Sequence, residues 1–340
     1  MKKILVILTL VTGLIACENQ KNEFPDFDYT TGYFPYQYPV RTLVLGDYIY
    51  DNTNDNNHKF LISAAFGGVY ENNQDREFKI EVTENLCDNV LFKSTNDTIH
   101  LLPPAYYTLS SSDKLIIPAG KVNGSIEVQL TDAFFDDPLA IKLGYVIPIR
   151  IVSVTNIDSV LRGKTNKLNP DPRVNADWDI LPKDFTMFAI NYINPYHGMY
   201  LHRGTNVVKN ASATILETNV YHTKYIVDNE VWSMVTTGKN QVTVQGSAHS
   251  ALIPGVLKMN LTFSDNGSCT ITQAVGSTFT ITGSGKFTSD ADEWGNEKRD
   301  AIHINYQLTY GANTYSATDT LVIRDRAIKM QVYNPLVYAK

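Results

Sequence analysis

The sequence predicts an all-β protein with two domains. Apolar and polar residues alternate with a period of two from about residue 29 nearly to the end of the chain, as in half-buried strands. Turn-forming sequences such as Asn266-Gly267 separate these runs, and we find no helical periodicity longer than about two turns. At 340 residues the chain is also too long for a single typical core, so we expect two.

The amino terminus has the features of a lipoprotein signal peptide over residues 1–16. Two lysines precede an apolar run of twelve residues, which is too short to cross a bilayer that needs about 20. The run ends in Leu14-Ile15-Ala16-Cys17, which resembles the bacterial lipobox, whose cysteine is acylated after cleavage. An ordinary secretory peptide with a cysteine near its cleavage site is the alternative. We expect lipidation at Cys17 and a polar tether over residues 17–28.

Charge and cysteine content exclude several classes of function. The net charge is −6, and becomes −8 once residues 1–16 and their two lysines are removed. Nucleic-acid binding requires clustered basic residues, so it is not expected. Cys87 and Cys269 lie far apart without metal-ligand spacing, which favours two buried free thiols over a disulfide or a metal site.

The first domain is predicted over residues 29–162. "FKIEV" (78–82) and "SIEVQL" (125–130) alternate cleanly, whereas "YVIPIRIVSV" (145–154) carries Pro148 and is expected at an edge or a bulge. The stretch "DYTTGYFPYQYPVRTLVLG" (28–46) is dense in aromatic residues. Tyr36 and Tyr38 alternate with neighbouring prolines as on an edge strand, which favours packing, with a sugar-stacking platform as the alternative.

Residues 163–179 form the predicted linker, and residues 180–340 the second domain. The linker and its flank contain three prolines and many polar residues. In the second domain, two alternating runs surround Asp265-Asn266-Gly267, and Asn-Gly predicts a hairpin with a type I′ turn. A second hairpin is predicted over 301–325, with its apolar face formed by Ile302, Ile304, Tyr306, Leu308 and Tyr310.

The order of several segments in the first domain resembles a known family. "YFPYQYPVRTLVLG", "LPPAYYTLSSSDKLIIPAGKVNGSIEVQLTDAFF", "YVIPIRIVSV" and "DSVLRGK" are similar to the immunoglobulin-like N-terminal domain of Bacteroidetes surface lipoproteins. These lipoproteins are typically encoded beside SusC/SusD-type outer-membrane glycan importers. "NPYHGMYLHRG" and "GSGKFTSDADEWGNEKRDAIHINYQLTY" resemble the lipocalin-like domains that accompany it. The resemblance implies an immunoglobulin-like β-sandwich followed by a lipocalin-like β-barrel or sandwich.

The candidate ligand-binding residues lie in the second domain. Trp294 stands in a charged loop beside Glu293 and Arg299, a combination that suits stacking on a sugar and bonding its hydroxyls. The alternative is that Trp294 folds back and closes one end of the barrel. His202 and Arg203 could bond a ligand, although a polar strand end explains them equally well. Trp232 is a further candidate, but its probable strand favours a place in the core.

No catalytic motif, cofactor motif or metal-ligand pair is found, so we expect a non-enzyme without cofactor or metal. With the resemblance, the expected function is that of a lipid-anchored, surface-facing outer-membrane protein. It would bind oligo- or polysaccharide and pass it to a SusC/SusD-type transporter. The alternatives are an adhesion or assembly lipoprotein with a protein partner, a small β-class glycoside hydrolase, and a barrel holding an apolar ligand.

Overall fold

The computed structural model describes residues 26–338. The predicted signal peptide and Cys17 lie outside the described residues, and the predicted tether is described only from residue 26. Among the described residues, no helix combines the length and apolar character needed to cross a bilayer.

The first domain is a β-sandwich whose larger apolar core lies between its two sheets. Its strands are β1 (Thr31–Tyr33), β2 (Pro39–Val44), β3 (Lys59–Gly67), β4 (Arg76–Val82), β5 (Val90–Phe92), β6 (His100–Leu101), β7 (Tyr107–Leu109), β8 (Lys114–Ile117), β9 (Asn123–Leu130), β10 (Tyr145–Thr155), β11 (Ser159–Val160) and β12 (Phe185–Ile193). One sheet has the order β11-β1-β3-β9-β7, and the other runs β2-β12-β10-β4-β8 with β6 beside β10. Buried residues from both sheets, such as Phe60, Ile126 and Ile149, form the core between them. This confirms the predicted all-β class.

Within residues 26–338, helical structure is confined to short connecting turns. The α-helices are α1 (Thr53–Asn56), α2 (Asp132–Asp136) and α3 (Pro138–Ile141), and 3₁₀ turns span Glu84–Cys87, Pro104–Tyr106, Asn175–Asp177 and Ile226–Asp228.

The second domain is a closed β-barrel of eight strands. The remaining strands of the chain are β13 (Gly198–Lys209), β14 (Ile215–Tyr221), β15 (Glu230–Gly238), β16 (Gln241–Gly246), β17 (Leu257–Phe263), β18 (Ser268–Gln273), β19 (Thr280–Trp294), β20 (Glu297–Tyr310), β21 (Asn313–Asp325), β22 (Gln331–Val332) and β23 (Pro335–Val337). The barrel closes because β13 pairs with β15 on one side and with β21 on the other. β14 pairs with the second half of β13 as a ninth strand. Apolar side chains from all eight barrel strands fill the interior, as in small barrels generally.

The structure moves the boundary between the two domains. Residues 180–193 do not enter the barrel, because β12 lies inside a sandwich sheet between β2 and β10. After the barrel the chain also returns to the sandwich, where β22 pairs with β2 and β23 with β5. The barrel therefore begins at Gly198 rather than near residue 180. Alternation alone marks a strand but not the sheet that the strand joins.

The predicted linker is an ordered part of the sandwich surface. The Arg173 guanidinium donates to the carbonyl oxygens of Leu86 (2.9 Å) and Asp88 (2.6 Å). Trp178 Nε1 donates to the Asp171 carbonyl at 2.8 Å. These bonds hold residues 171–178 against the first domain.

Of two predictions for proline-containing segments, one holds in part and one is wrong. β10 lies inside its sheet rather than at an edge, but its pairing with β4 carries a bulge between Ile151 and Ser153. That pairing begins only at Ile149, so the missing N–H of Pro148 breaks no bond of the ladder. Residues 34–38 form no strand but cross from β1 in one sheet to β2 in the other. Phe34 is buried there, while Tyr36 is 54% exposed. The packing interpretation thus holds for Tyr38, which packs against Phe185 and Tyr333, and for Phe34, and fails for Tyr36.

Both predicted hairpins of the second domain are present. β17 and β18 flank the first, but only Gly267 in its turn has a positive φ, of 81°, so the expected type I′ turn is wrong. β20 and β21 form the second, and its inward residues are buried except Tyr310, which is 39% exposed.

Candidate functional site

A cleft of about 600 Å³ lies where the barrel meets the sandwich. It is bounded by the loop after β2, by the junction before β13, by the tip of the β19–β20 hairpin and by the end of β21. Its volume falls in the range of small-molecule sites, which also favour domain interfaces. The lining residues are Asp47, Tyr48, Ile49, Pro195, Tyr200, Asp290, Trp294, Glu297, Lys298, Arg299, Asp300, Ile323, Arg324, Asp325 and Arg326.

The hairpin tip presents Trp294 and Arg299 to this cleft. Gly295 and Asn296 connect the two strands and both have positive φ, of 66° and 62°, which is the type I′ geometry of a tight hairpin. The pairing of β19 with β20 shifts register between Thr288 and Asp292. A bulge of this kind redirects the strand end that carries the functional side chains.

Trp294 is half-buried and held at fixed points. Its Nε1 donates to the Ile323 carbonyl at 3.0 Å, and the Arg299 guanidinium lies 4.3 Å from the ring centre, a cation–π contact. The indole also packs against a small apolar cluster that includes Leu201 and Val322. The side chain is therefore neither a free stacking platform nor a plug in the barrel, but one wall of the cleft.

The cleft mixes acceptors and donors at nearly balanced charge. Five acidic and four basic residues line it. Several are already paired: Arg299 with Glu297 at 2.5 Å and Arg324 with Asp325 at 2.8 Å. Asp300 accepts from Ser289 Oγ at 2.9 Å and from the Asp290 N–H at 3.1 Å. Such paired groups are oriented in advance for a polar ligand of low net charge.

A buried arginine fixes the two domains around the cleft. The Arg326 guanidinium donates to the carbonyl oxygens of Leu45 (2.9 Å), Asp47 (2.8 Å) and Asn194 (2.7 Å). Leu45 and Asp47 belong to the sandwich, whereas Arg326 follows the last barrel strand. Burial lowers the pKa of Arg326, and nearby Tyr200 and Asp300 oppose that shift. The shape of the cleft is thus set by bonds that cross the domain junction.

Two other predicted residues, Glu293 and Arg203, lie outside the cleft lining. Glu293 is exposed and pairs with Lys298 at 3.3 Å. Arg203 projects from β13 and pairs with Asp292. Both ion pairs involve residues of the β19–β20 hairpin.

His202 and Trp232 lie inside the barrel, away from the cleft. Their rings stack with centres 3.6 Å apart. His202 Nδ1 contacts Glu230 Oε1, and Nε2 lies 2.9 Å from Asp319 Oδ2, off the line of a well-aligned hydrogen bond. Burial acts to lower the pKa of His202, but the contacts with Asp319 and Glu230 outweigh it and raise that pKa. Trp232 lies on β15 and is 3% exposed, so it occupies the place in the core that its strand pattern favoured.

A second cleft of about 630 Å³ lies on the sandwich, beside the aromatic stretch at residues 35–38. Tyr38 packs edge-on against Phe185 and Tyr333, and burial raises its pKa. Tyr36 lines this cleft and is largely exposed.

Sequence reasoning missed most of the cleft. Asp47, Tyr48 and Ile49 come from the first domain and Ile323 to Arg326 from the end of the barrel. No local pattern connects segments so far apart in the chain. The one signal available was the hairpin tip, where Trp294 and Arg299 were identified.

Two family models match parts of the chain. Residues 27–158 match a family described as an N-terminal domain, and residues 195–327 match the domain of unknown function DUF5627. A search among curated proteins finds no match.

Several solved structures resemble the chain. A Bacteroides ovatus protein of unknown function is 35% identical with a TM-score of 0.84, covering 92% of this chain and 100% of its own. A multidomain Bacteroides ovatus protein is 13% identical with a TM-score of 0.42, covering 87% and 94% of the two chains. An auxiliary nutrient binding protein from Bacteroides thetaiotaomicron is 13% identical with a TM-score of 0.37, covering 84% and 90%.

These likenesses differ greatly in strength. The two at 13% identity are too distant to carry a functional conclusion. The first extends over both domains at a level of identity that shows common family membership. The chain therefore belongs to the same family as that Bacteroides ovatus protein of unknown function, and the DUF5627 match falls on its barrel.

Proposed function

We propose that this protein binds oligo- or polysaccharide in the cleft between its sandwich and its barrel. In this proposal it acts at the outer-membrane surface, held by a lipid on Cys17, and passes glycan to a SusC/SusD-type transporter. The observation that carries the proposal is the cleft itself, where aromatic side chains and oriented polar pairs meet at a domain junction bridged by Arg326.

The chemistry of the cleft suits a neutral, polyhydroxylated ligand. Sugar hydroxyls both donate and accept hydrogen bonds, so they can use carboxylates and guanidinium groups side by side. Trp294 and Tyr48 offer apolar surface from opposite domains, and aromatic side chains supply contact area at a small entropy cost. A strongly charged ligand would gain little from a lining whose charges nearly cancel.

The test is affinity electrophoresis of the purified chain through gels that contain a panel of host and plant polysaccharides. Trp294→Ala and Tyr48→Ala remove one aromatic wall from each domain. Tyr225→Ala is the matched control, because Tyr225 is 58% exposed on the barrel and outside the cleft. We expect one glycan to retard the native protein, and the two cleft variants to lose at least tenfold in affinity.

Two outcomes count against the proposal. Absence of retardation by any glycan would contradict glycan binding within that panel. Equal retardation of the native protein, Trp294→Ala and Tyr48→Ala would place binding outside this cleft; a Tyr36→Ala variant would then test the second cleft.

We propose that binding occurs without cleavage. Glycoside hydrolysis requires two carboxyl groups at a set separation, one of them with a raised pKa. In the cleft, the carboxylates of Glu297, Asp300 and Asp325 are bonded to neighbouring donors. Incubation with the retarding glycan should release no new reducing ends. Release that disappears in Asp300→Asn would instead assign an enzymatic role.

The lipid anchor is tested separately. Cells fed a labelled fatty acid should incorporate the label into the native protein and not into Cys17→Ser. Label on both proteins would refute acylation at this cysteine.

One observation favours a second candidate, a protein partner bound by strand addition. β14 pairs with β13 on one side, and within residues 26–338 no strand pairs with its other edge. Ile215 and Val220 on this strand are 59% and 64% exposed. A free apolar edge can accept a partner strand. Val220→Lys should then abolish binding to the SusC/SusD-type transporter, measured with purified components, while Trp294→Ala should not.

A further inference from the structure

We propose that His202, Glu230 and His249 form a binding site for a divalent transition-metal ion of the zinc class at one end of the barrel. The three side chains lie far apart in the sequence, and the folded barrel brings their donor atoms within 4.8 Å of one another. This site is separate from the cleft proposed to bind glycan.

Strand register brings the first two donors together. His202 on β13 pairs directly with Glu230 at the start of β15, and His202 Nδ1 contacts Glu230 Oε1. His249 lies in the loop after β16 and places Nε2 2.7 Å from the same carboxylate oxygen. Two imidazole nitrogens and one carboxylate oxygen thus converge on one point.

The rings are held in orientation before any ion binds. His202 stacks on Trp232, and His249 stacks on Tyr221 with ring centres 3.9 Å apart. Fixed rings reduce the entropy that metal binding would otherwise cost.

A buried carboxylate stands behind His202, as it does behind metal-binding histidines in general. Asp319 is fully buried, lies 2.9 Å from His202 Nε2 and accepts a hydrogen bond from the Tyr221 hydroxyl. Such a carboxylate fixes the tautomer and makes the other ring nitrogen a better ligand. Gly204 leaves room for it, because a Cβ there would lie 2.1 Å from Asp319 Oδ1. With Nε2 facing Asp319, Nδ1 of His202 faces Glu230 Oε1 and is the ring nitrogen that would bind an ion.

The site is open on one side only. The His202 side chain is fully buried, whereas those of His249 and Glu230 are 25% and 42% exposed. An ion can therefore enter from solvent, and three protein ligands leave a fourth position for water or a bound molecule. The donor set suits zinc and its neighbours among the transition metals rather than calcium or magnesium, which prefer oxygen ligands.

The experiment titrates the full chain, first stripped with EDTA, with ZnCl₂ by calorimetry and with Co²⁺ by absorption spectroscopy. We expect one ion per chain and the visible bands of a four- or five-coordinate Co²⁺ site. His249→Ala and Glu230→Gln should each weaken Zn²⁺ affinity at least tenfold and alter the Co²⁺ spectrum. Asp319→Asn should weaken affinity by about 10- to 100-fold, the range for the loss of an outer-shell partner.

The matched control is His303→Ala, since His303 is an exposed histidine on β20 that bonds Thr320 Oγ1 at 3.1 Å. It should leave both titrations unchanged. Both ligand substitutions fall on partly exposed side chains, and circular dichroism would verify their folding. Absence of stoichiometric binding to the native protein, or undiminished binding in folded His249→Ala and Glu230→Gln, would overturn the proposal.

Discussion

At the scale of single residues, burial decides the chemistry of the two cysteines in the described part of the chain. Cys269 is buried inside the barrel, and Cys87 lies half-buried in the sandwich. Burial raises the pKa of Cys87 to about 12, partly offset by Arg173, and that of Cys269 to about 11. Both are free thiols in separate domains, as the sequence predicted.

We therefore expect both thiols to be unreactive in the folded protein. The thiolate is the nucleophile, so iodoacetamide at pH 8 should label Cys87 and Cys269 at least tenfold more slowly in the native protein than in urea. Peptide mapping by mass spectrometry separates these sites from Cys17. Rapid native labelling, or a Cys87–Cys269 cross-linked peptide, would contradict the structure.

His197 occupies the domain junction as a neutral acceptor. Its Nδ1 accepts from the Thr236 N–H at 3.1 Å. Burial, followed by the nearby charge of Arg326, lowers its pKa from 6.5 to about 4. The unfolded chain thus binds a proton that the folded chain does not between these two pH values, so folding stability falls as pH falls through this window.

The expected loss is about 3 kcal/mol between pH 7 and pH 4, from the size of the shift. Urea unfolding across this range should show a steeper fall in the native protein than in His197→Gln. His222→Gln is the control, because His222 is exposed, and it should follow the native curve. Identical pH dependence of the native protein and His197→Gln would refute the burial of a neutral imidazole here.

At the scale of elements, the β17–β18 hairpin depends on a glycine with little space around it. Gly267 has a φ of 81°, and a Cβ there would lie 2.8 Å from the Phe287 carbonyl oxygen of the neighbouring strand. Gly276 has a similar φ of 87°, yet nothing lies within 4 Å of the position of its Cβ. Substitutions at these two glycines therefore distinguish the cost of a left-handed backbone from the cost of a steric contact.

Gly276→Ala should cost about 1 kcal/mol, which is the penalty for the left-handed backbone alone. Gly267→Ala should cost clearly more, about 2 kcal/mol or above, because the turn must also move away from Phe287. The free energies of unfolding in urea give both values. Equal costs would show that the contact between the turn and Phe287 can relax freely.

At the scale of the whole molecule, the carboxyl-terminal segment ties the barrel back to the sandwich. Tyr333 is 5% exposed, packs edge-on against Tyr38 and Phe92, and donates from its hydroxyl to the Met187 carbonyl at 3.0 Å. The chain thus crosses the domain junction twice, once before β13 and once after β21. Together with Arg326, this return holds the two walls of the cleft in place.

Tyr333→Ala should lower the free energy of unfolding by about 3–5 kcal/mol, as expected for a large aromatic side chain removed from a core. Tyr338→Ala is the matched control, since Tyr338 is 43% exposed near the same end, and should change stability by less than about 1 kcal/mol. Chemical denaturation measures both. A small effect of Tyr333→Ala would show that the terminal segment does not stabilise the sandwich.

Local pattern by itself determined the all-β class, both barrel hairpins and the inward face of β20, because alternation along a strand directly reflects which side is buried. It also identified Trp294 and Arg299, since a tryptophan among charges stands out in any sequence. It did not show that β10 lies inside its sheet, and it assigned β12 to the barrel, because the neighbour of a strand is chosen by long-range packing.

Only the tertiary structure decided where the functional groups meet. The cleft joins Tyr48 to Trp294, and the barrel brings His202, Glu230 and His249 within reach of one ion. Strand register and barrel closure bring these side chains close to one another. They depend on the free energy of the whole packed chain, whereas a sequence pattern records only the burial of each residue.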